Sequence, residues 1–527
     1  MIDKFKKLIR GDTENYILFP KISLKLFAVV LALGYGIHSF RITQMINTAD
    51  DVSVLMKGYG GGTTFGRWGL DFLGFRVNYK WIIGSFNLPA FDGIMTLIFL
   101  SLSACIILEL FNLRNSRLGI LFAVIFVAYP VCSATLLYMF TAAYYGLSCF
   151  LAVLAAWCLK IGKKLYGCLA IICIALSLGL YQAYFPLTAT LCLFLVLDYF
   201  LSQHSDIKSG LQMGLYYVLM MCMGLGLYFV ILNNRLKNLG AELTDYQNLN
   251  SMGQIQIQEI PRLLMRCYKV FLQFSSEIYH SINTLSIIRK GILVLFVLCV
   301  VLGLWGICQQ KKLSNRIMIV LLMALTPIAV NLIEIMCSRS DIYVLMVYST
   351  VFIYFLPLIL IKRIQVGNGI SGFVLKFFSL LLGAFFIVLI LGYSWHANWN
   401  YVALEYMNRE TESYMTTLVT RIKSVENYRD EYSVLFVGER SFSDQQFVNP
   451  YSAYHEYYFN EHQQNYLINA FSWKDALSAY TGFTFTSPPE QKCEEIYALQ
   501  QFQEMNCYPD DGSISVIDEV IVVKIAE

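Results

Sequence analysis

The stretch NTADDVSVLMKGYGGGTTFGRWGLDFL, Asn47 to Leu73, sets a pair of carboxylates, a glycine run and an arginine close together in the chain. Asp50 and Asp51 supply adjacent carboxylates. Gly60, Gly61 and Gly62 permit backbone shapes that other residues resist. Arg67 and Trp68 follow, then an amphipathic run to Trp81 that suits the plane of a membrane surface. A carboxylate can take a proton from an attacking hydroxyl. A guanidinium can hold a departing phosphate through two parallel hydrogen bonds. All of this directly follows a strongly apolar segment, so the two groups stand at a membrane boundary.

A second cluster lies in MCSRSDIYV, where Arg339 and Asp341 flank one serine. Arg339 is at a boundary where a lipid phosphate would sit. Glu334 lies less than two helical turns earlier. A carboxylate in lipid is costly and should face protein or water. Tyr138, Tyr144, Tyr145, Tyr181, Gln182 and Tyr184 gather at helix ends on the same side, where they suit sugar hydroxyls or ring stacking. Plainer readings stand beside these. An Asp pair in a loop is usually a solvated turn or a helix cap. Arg67 and Trp68 suit a simple interface anchor, Arg339 either an ordinary flanking charge or a partner of Asp341, and the tyrosines an aromatic belt. Asp198 and Glu109 lie near the opposite ends of their helices and read as snorkelling. HEYYFNEH, His455–His462, lacks the two-His spacing of a zinc helix and reads as surface.

Membrane helices carry these groups. Of 527 residues, 57% are hydrophobic and 14% charged. A soluble domain carries about 25% charged residues, so this composition is that of a mainly α, polytopic transmembrane bundle. The net charge is only +3, and no basic tract or nucleic-acid module is present. Apolar runs predict about eleven spans. They fall near Ile22–Phe40, Phe91–Leu110, Leu118–Met139, Ala142–Lys160, Leu165–Tyr181, Phe185–Leu201, Leu211–Leu232, Gly291–Cys308, Ile317–Cys337, Ile342–Ile361 and Phe373–Trp395. The first has no small-residue cleavage site after it and reads as a retained helix.

With eleven spans, the lysines and arginines of the N-terminus and of the loops near 114–117, 160–164, 311–316 and 362–363 all reach one side. That side is expected to be cytoplasmic. The opening loop 41–90, the loop 233–290 and the polar region 396–527 then lie outside. The division expected is a transmembrane domain, 1–395, and an extracytoplasmic C-terminal domain, 396–527. In the latter, a helical pattern over Tyr401–Val425 and strand-like runs at Tyr432–Gly438 and Ile514–Ile525 predict a small α/β fold. Most of the fourteen cysteines sit in apolar segments as small hydrophobes; Cys267, Cys493 and Cys507 lie outside them, and the last two could pair in an oxidising compartment, though nothing in their spacing demands it.

Outside the cytoplasm there is no nucleotide sugar. The usual activated sugar is carried on a polyprenyl phosphate, whose leaving group is already stabilised. Its transfer needs one base and one cation or amide donor set for the phosphate, without a second carboxylic acid.

The order of TADD, GRWGLDFL, YPVCSATLLYMFTAAYYGLS, LGLYQAYFP and SRSDIY, with a terminal helix-plus-strand region, resembles the serotype-converting glucosyltransferases of the Gtr type II group. The resemblance spans most of the chain. It implies a polytopic GT-C-like glycosyltransferase taking sugar from undecaprenyl-phosphate glucose to an O-antigen or other surface glycan. It implies Asp50 or Asp51 as catalytic base and Arg67 as a donor-phosphate or loop-positioning residue. Trp68, Arg339, Glu334, Tyr138, Tyr181 and Gln182 are the remaining candidates for substrate binding. No metal or other cofactor is expected. The expected partners are the lipid-linked donor, a glycan acceptor, membrane lipids, and a synthase and flippase supplying the donor; nucleic acid is not expected. The expected location is the bacterial inner membrane, with the N-terminus cytoplasmic. The alternative is a transporter or flippase for a lipid-linked glycan, which would show midplane charges, interrupted helices and internal repeats. A non-catalytic scaffold for polysaccharide assembly is the third reading.

Overall fold

The computed structural model describes residues 20–57, 62–74, 87–244, 256–276, 282, 285–339, 342–367, 369–438 and 473–526. Gly60, Gly61, Asp341 and the His455–His462 segment lie outside them. The chain divides into two compact units. The first comprises 1–44, 59–84 and 88–398; the second comprises 45–58, 85–87 and 399–527. Two short pieces of the opening loop, including the Asp50–Asp51 pair, thus group with the C-terminal region rather than with the transmembrane helices.

The first unit is helical. Its helices are α1 (Leu24–Thr43), α3 (Trp68–Asp71), α4 (Pro89–Leu110), α5 (Arg117–Ala128), α6 (Pro130–Leu137), α7 (Met139–Ile161), α8 (Lys164–Leu180), α9 (Phe185–Phe200), α10 (Ile207–Leu239), α11 (Ile260–Ser276), α12 (Ser286–Gln309), α13 (Leu313–Val330), α14 (Ile333–Met336), α15 (Leu356–Arg363) and the start of α16 (Ile370–Lys423). Helix α2 (Ala49–Lys57) belongs to the second unit.

Local chemistry sets the ends. Ser23, Ser116 and Asp206 cap α1, α5 and α10 by accepting from the amides of Leu26, Gly119 and Ser209. Those bonds from Ser209 hold the Asp206 carboxyl below its ordinary range. Pro130 fills the first position of α6, where its missing amide costs nothing, and so divides α5 from α6. Small residues let helices approach: a Cβ on Gly146 of α7 would stand 3.0 Å from the Thr96 backbone of α4.

Among the described residues, nine helical segments are long and apolar enough to cross a membrane, against eleven expected. Helix α8 is apolar but has 17 residues. The segment Ile342–Ile361 is not one helix. It forms 3-10 turns at Val344–Met346 and Tyr348–Ile353, and then α15. Val347, Thr350, Val351 and Ile353 are β-branched and lower helical preference, and Pro357 fixes the start of the next helix. The turns are buried. Their amides bond within the segment, as Thr350 does to the Val347 carbonyl at 3.0 Å and Tyr354 to the Val351 carbonyl at 3.1 Å, so this irregular backbone is satisfied by protein. The Ser349 and Tyr348 hydroxyls donate to the Val330 and Phe126 carbonyls, each at 2.6 Å.

Two further expectations change. The region 233–290 is not simply a loop: α10 runs on to Leu239, and α11 packs its buried Leu263, Cys267 and Phe274 inward, beside α12, α13 and α14. Asp198 does not snorkel. It takes both branches of the Arg363 guanidinium at 2.6 Å and Lys362 at 3.3 Å, and Glu109 pairs with Arg114 at 3.3 Å.

The second unit contains α2, the end of α16, a three-stranded sheet and α17 (Trp473–Thr481), α18 (Glu490–Tyr497) and α19 (Gln500–Gln503). The strands are β1 (Ser433–Val437), β2 (Ile514–Ile517) and β3 (Val520–Lys524), in the order β1-β3-β2. β1 runs parallel to β3 with Ser433 opposite Val520, and β2 runs antiparallel to it with Ile517 opposite Val520. The single strand expected over Ile514–Ile525 is therefore a hairpin. Asp518 and Glu519, both at positive φ, make its two-residue turn. Central β3 is buried along its whole length, and Val520 and Val522 pack with Leu435, Ile496, Met505 and Ile517. Cys493 and Cys507 are free thiols.

Candidate active site

Asp50 and Asp51 open α2, where acidic residues suit the positive end of the helix. They do different things there. The Thr48 amide and hydroxyl each donate to Asp51 Oδ2 at 3.0 Å, and the Asp51 amide donates back to Thr48 Oγ1 at 3.3 Å. That is a reciprocal capping box with Asp in place of the usual Glu. Asp51 is fully buried. Asp50, one position earlier, is half-buried, so solvent reaches it.

Arg67 belongs to the first unit. Its Nη1 donates to the Tyr145 hydroxyl at 2.8 Å, and its guanidinium lies 5.0 Å from the Tyr181 ring centre and 5.8 Å from that of Tyr145. The two rings stack on each other at 4.0 Å with 13° between their planes. The cation therefore has a rigid aromatic seat. The loop carrying it is closed from inside. Asp71 accepts from the amides of Gly62 and Thr63 and from the Thr63 hydroxyl, and the Arg67 amide donates to the Gly62 carbonyl at 2.7 Å.

Gly66 has φ of +76°, and a Cβ there would stand 2.6 Å from Gln182 Nε2 and 2.7 Å from the Tyr228 hydroxyl. Those two side chains hold the loop: Gln182 donates to the Phe65 carbonyl at 2.9 Å and Tyr228 to the Gly66 carbonyl at 3.0 Å. Trp68 is not an interface anchor. It packs with Ile174, Leu178 and Tyr228, and lies flat on Gly179, where any Cβ would meet the indole at 2.5 Å.

Three of the tyrosines are buried. Tyr145, Tyr181 and Tyr184 are 3%, 2% and 1% exposed, and Tyr184 meets Tyr181 edge-on. Tyr138 stands half-buried at the junction of α6 and α7, within electrostatic reach of Tyr181.

Glu334 is 1% exposed and lies 2.6 Å from Arg266 Nε. Arg266 was not among the expected residues, since it comes from α11, some seventy residues earlier. It also donates to the Ser338 carbonyl at 3.4 Å. Around this pair Asn331 and Cys267 exchange side-chain to backbone bonds. Cys337, just beyond α14, lies within electrostatic reach of Glu334, Arg266 and Arg67. Arg339 is more open and faces Glu259 at 3.5 Å.

Thus Arg67, Trp68, Tyr181 and Gln182 come together around one loop. Glu334 is bound to Arg266, and Arg339 stands with Glu259. Asp50 and Asp51 belong to the other unit. The described residues contain no cluster of His, Cys, Asp and Glu suited to a metal.

A polytopic helical membrane protein with an acidic helix start and a seated arginine in its first loop has the features of a membrane glycosyltransferase. The family comparison is specific: residues 15–354 match the model for glucosyl transferase GtrII, and the chain belongs to that family. It is accordingly a glycosyltransferase. No curated protein matches the sequence. Residues 355–527, including most of the second unit, lie beyond the family match.

Proposed function

We propose that the protein moves a sugar, glucose by its family, from a polyprenyl phosphate to a surface glycan on the extracytoplasmic side of the bacterial inner membrane. In this reading the N-terminus is cytoplasmic and the second unit extracytoplasmic. An acceptor hydroxyl attacks the anomeric carbon and its proton passes to Asp50. The bond from the anomeric carbon to the phosphate oxygen breaks, and its electron pair stays on the phosphate. Arg67 meets that charge with its planar fork, and the aromatic seat fixes the fork's direction. No divalent metal is required, because the leaving group is already a phosphate.

The observation that carries the choice of base is the division of labour in α2. Asp51 is buried in its capping box with Thr48, while solvent reaches Asp50. Gln182 and Trp68 act by holding the loop that carries Arg67, and Tyr181 acts by seating its guanidinium. Arg339 and Tyr138 are the candidates left to meet substrate directly. The family match gives no support to a transporter.

The test is transfer by the purified full-length protein in lipid discs. Radiolabelled glucose on polyprenyl phosphate is expected to appear in acceptor glycan without added metal, and UDP-glucose is expected to yield nothing. Transfer from the nucleotide sugar, or glycan movement across the bilayer without transfer, would overturn the proposal.

A further inference from the structure

The helix bearing Asp50 does not hold itself. Its entry residue, Asn47, is buried and bonded on every side by residues of the second unit. The Asn47 amide donates to Asn408 Oδ1 at 3.0 Å, and Asn408 Nδ2 donates back to the Asn47 carbonyl at 3.0 Å. Asn408 thus reads the Asn47 backbone as a strand would. Asn87 Nδ2 donates to Asn47 Oδ1 at 2.8 Å, which brings in the far end of the opening loop. The Tyr480 hydroxyl donates to Asn408 Oδ1 at 2.7 Å. One turn into α2, Ser53 donates to Asp475 Oδ2 at 3.2 Å, and α17, which carries both Asp475 and Tyr480, packs along α2.

These contacts are specific in kind. A paired exchange of two hydrogen bonds between a side-chain amide and one peptide unit fixes direction as well as distance, and hydrophobic packing alone would allow α2 to slide or turn. Asn408 lies in α16 and Tyr480 in α17, and both helices lie wholly beyond the family match.

We infer that Asn408 and Tyr480 are positioning residues for Asp50, and that the C-terminal region is a working part of the catalytic apparatus. This rests on Asp50 being the base. The clamp sets where the N-terminus of α2 stands, and therefore where the Asp50 carboxylate meets the acceptor hydroxyl. It does not touch the donor phosphate.

The test compares Asn408→Ala, Tyr480→Phe, Asp50→Asn and the double variant Asp50→Asn/Asn408→Ala, each as full-length protein in lipid discs, with labelled polyprenyl-phosphate glucose. Asn408→Ala is expected to lower kcat about 10- to 100-fold, the loss that an ångström of misplacement causes, with donor KM unchanged. Tyr480→Phe, which removes one hydrogen bond and no bulk, is expected to lower kcat by roughly threefold at unchanged Tm, and it decides the matter should Asn408→Ala fail to fold. The double variant should be no slower than Asp50→Asn alone, because the clamp acts only through that carboxylate. Full kcat in folded Asn408→Ala and Tyr480→Phe beside an inactive Asp50→Asn would overturn the clamp and leave the base standing. Full activity of Asp50→Asn would overturn both.

Discussion

The Thr48 hydroxyl and the Thr48 amide bond the same carboxylate oxygen of Asp51, each at 3.0 Å. Two donors from one residue on one oxygen make that carboxylate a fastening of the chain. The first prediction concerns this fastening. Thr48→Ala should cost about 1 kcal/mol of stability, as loss of an N-cap does, and lower Tm in detergent. Its transfer rate per folded molecule should fall much less than that of Asp50→Asn. Equal losses of rate in the two variants would refute the division of roles.

Glu334 and Arg266 give a second prediction. The carboxylate is buried and the guanidinium is its ion partner at 2.6 Å. Arg266→Met leaves a buried charge uncompensated and should cost roughly 3 kcal/mol, whereas Arg266→Met combined with Glu334→Met should recover most of it. Thermal inactivation of the purified protein reads both. A double variant less stable than either single one would show that the pair stabilises the fold outright.

A third prediction follows from the seat of Arg67. Tyr145→Phe keeps the ring against Tyr181 and removes the hydroxyl that accepts from Arg67 Nη1 at 2.8 Å. Donor KM should rise several-fold with little change in kcat, the pattern of lost binding common to ground and transition states. Arg67→Lys should not restore donor use, because an ammonium cannot reproduce the planar fork. Isothermal titration with polyprenyl phosphate gives an independent readout.

Gly66 carries a fourth. Its φ is +76°, and Gln182 and Tyr228 occupy the space a side chain would need. Gly66→Ala should cost about 1 to 3 kcal/mol from the left-handed backbone alone, and more from the contacts. Yield of folded protein and Tm should both drop.

Much of this was legible in the sequence, for physical reasons that differ by element. Apolar runs long enough to span lipid declare themselves, and α1, α4, α7, α9 and α12 lie where composition puts them. The capping signature, Thr48 three residues before Asp51, is present in the sequence, but the two aspartates read there as equivalent; the bonds from Thr48 and the burial of Asp51 separate them. Other features depend on partners far away in the chain. Nothing local marks Arg266 as the partner of Glu334, or Asn408 as the reader of the Asn47 backbone, since each pair is joined only by folding. Aromatic rings at helix ends serve equally in belts, binding sites and cores, so sequence alone does not show that Tyr145, Tyr181 and Tyr184 are buried. In Ile342–Ile361, apolar length alone suggested a span. The β-branched run and Pro357 were the signals of its broken backbone.

The most direct measurement of the central claim is single-turnover sugar transfer by Asp50→Asn and Asp51→Asn, each normalised to folded protein, from preloaded polyprenyl-phosphate glucose. Asp50→Asn should lose at least about 100-fold in the chemical step, as removal of a general base does, while Asp51→Asn retains most of its rate and loses Tm. Wild-type turnover by Asp50→Asn, or a greater loss of rate in Asp51→Asn, would contradict the account.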